Sequence, residues 1–401
     1  MEHVVAGPPG QQDHVPPVVS LSGETSKVSL PQEDSAKEKT ARQYSRIKLW
    51  IGIASSFLLF FLTLVFVVSG LSRNLESLIR NYASNDYLVL LLYVLTAGVA
   101  ETIIFSPLSF YSGYYLEHQY HLSNQSFFRW IGEGLKGMAV SLPIGLPILL
   151  LFFYCLKTYG TLWWLPVATA LFFLTVVLAR LAPVLIFPLF YKFSPLDDGP
   201  MKEKILALCG RTGIRVEGIF TFNLSKNTKK ANAAFTGIGK SKRILLGDTL
   251  VQNFTDEEVE TVFAHELGHY KLKHVWSTMV IGTLNSFLGL FLTAQCYAMS
   301  LSWLGFQHPD QIAALPLLTI WLGLYSLATS PIGNYFSRLH EYSADAYAVT
   351  TTSDKEAFLN ALRKLAKMNL AETSPPPVVE FLFHSHPSID KRIRAVESMS
   401  V

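Results

Sequence analysis

Six apolar runs, at 49–71, 87–105, 137–156, 161–187, 275–304 and 313–330, constrain this chain more than any other feature. A bilayer core takes about 20 apolar residues as a helix, and inside it every backbone polar group must be paired within the segment. A chain with this many runs of near-spanning length is expected to fold as a polytopic bundle of membrane helices, not around a single globular core. Composition agrees: 50% of residues are hydrophobic and 16% charged, against about 25% charged in a typical soluble domain. The net charge of +3, with its basic residues dispersed, excludes a nucleic-acid-binding stripe. Cys155, Cys209 and Cys296 lie far apart in sequence and form neither a disulfide framework nor a thiolate metal motif.

The polar segments set the organisation. Residues 1–47 carry Pro8-Pro9 and Pro16-Pro17, show no apolar periodicity and read as a disordered tail, with no cleavable signal peptide at its start. Lys37, Lys39, Arg42, Arg46 and Lys48 abut the first run and place the N-terminus in the cytoplasm. Six crossings then bring the C-terminus, the insert at 191–274 and everything after 331 to the same side. The expected units are the tail, membrane helices at 48–190, a catalytic insert at 191–274, a membrane hairpin at 275–331 and C-terminal helices at 332–401. The fold class is mainly α, with a small α+β metallopeptidase domain. Within the insert the patterning predicts a helix at 200–212, strands at 216–222, 231–236 and 244–246, and a turn at 237–241. Thr255 and Glu258 form a capping box that opens a helix free to run unbroken into the fifth span. Beyond the sixth span, 334–350 and 355–367 read as amphipathic helices.

The chemistry is concentrated in His265-Glu266-Leu267-Gly268-His269. Residues four apart share a helix face, so both imidazoles can bind one Zn²⁺, while Glu266 projects beside the metal as general base for an activated water. A catalytic zinc takes a third protein ligand. No HExxHxxGxxH extension follows, and the candidate is Glu341, which two membrane crossings return to the same side as His269. Asp345 lies one turn further on, suited to orienting a ligand histidine. His386, in His384-Ser385-His386-Pro387, is the candidate donor to a tetrahedral oxyanion.

The ordered set of motifs resembles the CAAX prenyl protease 1 family, polytopic zinc endopeptidases of the gluzincin type. The resemblance runs from about Tyr44 onward, through PLSFYSGYYLEHQYHL at 107–122, PLFYKFSPL at 188–196, Asn232-Ala233-Ala234-Phe235-Thr236-Gly237, SKRILLGDTL at 241–250, HELGH, Glu341-Tyr342-Ser343-Ala344-Asp345 and Ser385-His386-Pro387. It implies helices ringed around a water-filled chamber with the zinc site at its cytoplasmic cap. It implies an edge strand at Asn232, Ala233 and Ala234 that takes an extended peptide by backbone pairing, His386 near the oxyanion, and Arg392 paired with Asp345. The implied partners are the lipid bilayer and a peptide or prenylated protein substrate, with no nucleic acid. The implied membrane is the endoplasmic reticulum in a eukaryote or the plasma membrane in a bacterium. Two departures stand out: six runs where the family has seven spans, and Tyr191 and Ser109-Phe110-Tyr111 where its usual residues differ. They fit a distant, bacterial member cutting other short peptides.

Two further functions share some of these features. A quality-control metallopeptidase of the HtpX group has HExxH and the later Glu, but fewer spans before the site. A transporter or scaffold with a vestigial motif would use Glu101 and Arg180, inside apolar runs, as its path.

Overall fold

The computed structural model describes residues 32–236 and 242–400. The polar tail before Gln32 and the turn expected at 237–241 lie outside the described residues.

Helix α1 spans Gln32–Val68, so the segment expected to be unstructured through residue 47 is helical from Gln32. Its Ala, Lys, Glu, Arg and Gln content is that of a good helix former, and Ala41 and Tyr44 are buried against the rest of the protein. There follow α2 (Leu71–Arg80), α3 (Asp86–Phe110), a π turn (Tyr111–Tyr115), α4 (Leu116–Gln119) and α5 (Phe127–Tyr159). Next come α6 (Trp164–Leu181), a second π turn (Ala182–Ile186) and α7 (Phe187–Phe190). Six helical stretches among the described residues are long and apolar enough to cross a membrane: Ala36–Val68, Asp86–Gln119, Phe127–Leu162, Trp164–Phe190, His274–Trp303 and Ile312–Thr352. Each apolar run of the sequence falls on one of them, and several helices extend past the run into polar residues.

The insert is a helix–sheet unit. Strand β1 (Phe193–Pro195) was not foreseen; α8 (Pro200–Arg211), β2 (Gly218–Phe222), β3 (Ala233–Thr236) and β4 (Arg243–Gly247) match the expected elements within a residue or two. The sheet order is β1-β2-β4-β3, with β2 and β4 parallel and the outer pairs antiparallel. Strand β3 is therefore an edge, paired among the described residues to β4 alone, with Ala234 opposite Leu245. Short α9 (Asp248–Asn253) leads to α10 (Asp256–Lys271), which opens with the predicted capping box: Thr255 Oγ1 accepts from Glu258 N, and Glu258 Oε2 accepts from Thr255 N at 2.9 Å.

The expected unbroken passage into the fifth span is replaced by a break. Lys273 adopts a left-handed φ of 59°, and α11 (His274–Trp303) starts afresh. The sixth span and the amphipathic helix predicted after it are one element, α12 (Pro316–Thr352). The chain ends with α13 (Lys355–Asn369), α14 (Pro377–Phe383) and α15 (Ile389–Glu397).

Two cores result. In the catalytic unit, Val259, Phe263 and Leu267 of α10 pack with Ala348 and Val349 of α12, Phe358 and Leu362 of α13 and the sheet's Ile244 and Leu246. In the membrane unit, Leu290, Ala294 and Tyr297 of α11 pack with Leu317 and Leu318 of α12 and with Trp163 and Val167. Without water to drive apolar association, membrane helices rely on close packing of small residues. At Gly289 a Cβ would come 2.5 Å from Tyr325 Cε1, and the Tyr325 hydroxyl bonds Asn285 Oδ1 at 2.8 Å. Gly289→Leu is expected to lower stability by about 1–3 kcal/mol, read as a fall in thermal midpoint in detergent. Combining it with Tyr325→Ala should restore much of the loss.

Candidate metal centre and cleft

Two elements distant in sequence meet at the site. His265 and His269 lie one turn apart on the face of α10 that looks at α12, and their Nε2 atoms are 3.1 Å apart. Glu341 of α12 brings Oε1 to 3.3 Å from His269 Nε2 and Oε2 to 3.5 Å from His265 Nε2. A cation with arms of about 2.0–2.1 Å in tetrahedral array requires donors roughly 3.3–3.4 Å apart, and these three separations bracket that value. Glu341 Oε2 is buried; it lies 3.0 Å from His386 Nδ1 and 3.4 Å from Arg392 Nη1, yet accepts no hydrogen bond of good geometry. The two imidazoles and this carboxylate fit a divalent metal ion, and among the described residues they alone form such a group.

What makes the crossing possible is Gly268, inside the motif. A Cβ there would stand 3.2 Å from Ala344 Cα and 3.2 Å from Tyr347 Cβ of α12. No longer side chain lets α10 and α12 approach this closely.

The imidazoles are oriented from behind. Asp345 Oδ1 lies 2.8 Å from His265 Nδ1, so Nδ1 carries the proton and Nε2 keeps its lone pair for a metal. Arg392 holds Asp345 with two bonds, Nη2 to Oδ1 at 2.6 Å and Nε to Oδ2 at 2.8 Å. Burial would depress the His265 pKa, but the Asp345 and Glu341 carboxylates outweigh it and lift it to about 9. A site that grips a proton so firmly attracts a metal cation for the same electrostatic reason.

His269 has a partner that sequence reasoning missed. His274 Nδ1 lies 3.1 Å from His269 Nδ1, and His274 Nε2 lies 3.2 Å from Ser343 Oγ. One proton order satisfies all three: His269 Nδ1–H donates to His274, and His274 Nε2–H donates to Ser343. That order leaves His269 Nε2 free for a metal. The signal, a third histidine five residues on, was cancelled by expecting an unbroken helix, which would turn residue 274 roughly 140° away from His269. The break at Lys273 returns it.

Glu266 and His386 face the same cleft, of about 590 Å³, which His265, Glu341, Asn232 and Ala233 also line. Burial raises the Glu266 carboxyl above the ordinary carboxylate range. His386 is exposed, and its loop is anchored on both sides: Arg338 Nη1 donates to Glu380 O at 3.1 Å and His384 O at 2.6 Å, and Ser388 N donates to Glu380 Oε1 at 3.3 Å. Asn334 Nδ2 donates to Leu382 O at 2.9 Å. Asn334, Arg338, Glu341 and Asp345 thus form one stripe along α12, a role for Asn334 and Arg338 that the sequence did not suggest. Asn232 stands just before edge strand β3, with Ala233 and Ala234 in it. Glu101 and Arg180 belong to no part of this cluster.

Residues 195–400 match the family model described as peptidase family M48, and residues 22–192 match that of the CAAX prenyl protease N-terminal region with five membrane helices. An uncharacterized metalloprotease of Bacillus subtilis, YhfN, is 31% identical over 89% of this chain and 84% of its own length. CAAX prenyl protease 1 of Saccharomyces cerevisiae is 32% identical over 75% of this chain and 70% of its own. The crystal structure of Ste24p from S. mikatae superposes with a TM-score of 0.81 at 29% identity, covering 91% of this chain and 90% of that one. With the site's geometry, these likenesses establish that the chain belongs to peptidase family M48, in its CAAX prenyl protease branch, and is a multi-pass membrane metalloprotease.

Proposed function

We propose that the protein is a zinc endopeptidase that removes a short C-terminal tail, of the prenylated CAAX class, from peptides reaching the cleft at the cytoplasmic membrane face. The observation that carries the catalytic part is the set of three donors, from two distant helices, at 3.1–3.5 Å from one another. Two neutral imidazoles and a carboxylate are the donor set of a catalytic zinc with one position left open. The prenylated class rests on relatives named CAAX prenyl protease 1, and the cytoplasmic face on Arg42, Arg46 and Lys48 before the first span.

His265, His269 and Glu341 would hold the zinc, which when bound acidifies a water and polarises the scissile carbonyl. Glu266 takes that water's proton and delivers it to the leaving amine, and its raised pKa brings it nearer the working pH. His386, on the loop braced by Arg338, donates to the oxygen that gains negative charge. The outward backbone groups of Ala233 and Phe235 pair with an extended substrate. A transporter reading finds no support in this geometry, because the catalytic groups converge on one cleft away from Glu101 and Arg180.

Glu266→Gln is expected to lower peptide turnover by about 10³-fold while zinc content stays stoichiometric; retained turnover would reject the role. His386→Ala should lower kcat by about 10²-fold with little change in KM, and Arg338→Ala should add little once His386 is gone, a non-additivity that a kinetic double-mutant cycle reads. Gly268→Val should weaken zinc affinity by about 10–100-fold in chelator competition, since it forces α10 from α12. Turnover of a prenylated peptide beside its unprenylated twin tests the substrate class: equal rates would remove the prenyl requirement and leave the peptidase.

A further inference from the structure

The free edge of β3 is closed at one end by a side chain. Ala234 pairs with Leu245, and Gly247 N donates to Asn232 O at 2.9 Å, so the groups of residues 232, 234 and 236 point toward β4. Strand alternation then turns the N–H and C=O of residues 231, 233 and 235 outward. At residue 231 both outward groups are taken. Asn369, the last residue of α13, accepts from Ala231 N through Oδ1 at 3.0 Å and donates from Nδ2 to Ala231 O at 3.3 Å. A side-chain amide presents the same acceptor and donor as a peptide unit, so Asn369 occupies the place of one residue of an added strand.

The closure is braced from the membrane unit. Ser45 Oγ of α1 donates to Leu370 O at 3.2 Å, Arg42 Nε lies 3.5 Å from Glu372 Oε1, and Ser45, Asn369 and Glu372 all line the catalytic cleft.

We infer that Asn369 is a register stop: it ends the peptide-binding edge at Ala233 and thereby limits how many residues may follow the scissile bond. A chain laid on the edge in this register runs into the Asn369 amide at one end. Only a flank that terminates can be accommodated there, and under the proposed C-terminal processing, on which this inference rests, that flank is the tail ending in the substrate carboxylate. Asn369 is thus a specificity-determining residue and takes no part in bond cleavage.

The test uses the full chain in detergent and two peptide series sharing one cleavage sequence. One series lengthens the C-terminal flank from about two to eight residues and the other lengthens the N-terminal flank. For the wild type, kcat/KM should fall about tenfold or more beyond a limiting C-terminal tail length, because a longer tail must displace both Asn369 bonds. Lengthening the N-terminal flank should produce no such step. In Asn369→Ala the limit should move out by about two residues, one strand repeat, with zinc content and the thermal midpoint in detergent showing that the site is intact. If that variant does not retain zinc, Asn369→Ser supplies the same opening with a hydroxyl for one of the two backbone groups. Asn369→Asp keeps the bulk and the acceptor and should keep the wild-type limit whatever its overall rate. A wild type indifferent to tail length, a step in the N-terminal series instead, or an unmoved limit in a zinc-loaded Asn369→Ala would each overturn the inference. Failure to cleave any peptide, by contrast, would count against the proposed activity itself.

Discussion

The close crossing of α10 on α12 is the contact on which the rest of the site depends. His265 and His269 are fixed by one helix and Glu341 by the other, so their convergence is set by how near the two axes come. Gly268 sets that distance, since its missing side chain leaves room for the α12 backbone at Ala344. The crossing is held on its far side by Val259, Phe263 and Leu267 against Ala348, Val349 and Phe358. The hydrophobic core and the metal-binding group are two faces of one helix pair, and any change that loosens the first displaces the second.

The same crossing buries charge at a density that needs compensation. Glu341 and Asp345 are both buried on one stripe of α12, and Arg392 is the buried cation that faces them. Buried carboxylates in a region of low dielectric are costly unless cations face them, and the raised pKa of His265 is part of that compensation. His265, His269 and Glu341 would hold a divalent ion there, which would add positive charge beside the unbonded Glu341 Oε2. Arg392 holds Asp345 with two bonds, Asp345 holds His265, and Arg392 also approaches Glu341. The orientation of the ligands is therefore fixed by a connected network and not by each side chain separately.

The parts of this arrangement that follow short-range rules were legible in the sequence. The capping box at Thr255, the i,i+4 spacing of the two histidines and the apolar runs are local patterns, and each appears where the spacing places it. Glu341 could be chosen because parity of membrane crossings is a topological rule that needs no packing detail. What stayed hidden depends on events of one or two residues. The left-handed Lys273 cannot be read from a lysine between Leu272 and His274, yet it decides whether His274 meets His269. Strand β1 is three residues long and exists by pairing with β2, and the helix before residue 48 is held by Ala41 and Tyr44 packing on distant elements. Asn369 looks like a helix terminus until β3 is placed beside it.

Helix α12 joins the membrane to the chemistry without an intervening loop. It packs at one end through Leu317 and Leu318 in the core shared with α11, and at the other through Ala348 and Val349 in the catalytic core. Pro331 lies within it, but the helix continues past that position to Asn334 and Arg338, which grip the chain leading to His386. A rigid rod of this kind fixes the height of Glu341 above the hairpin, and α1 ties down the segment after α13 by bonding Ser45 to Leu370. The candidate metal ligand Glu341 and the proposed stop at Asn369 are thus both referenced to membrane helices. Under the proposed function, a substrate anchored in the same bilayer would meet them at a set depth, and the membrane would then take part in setting the cleavage position.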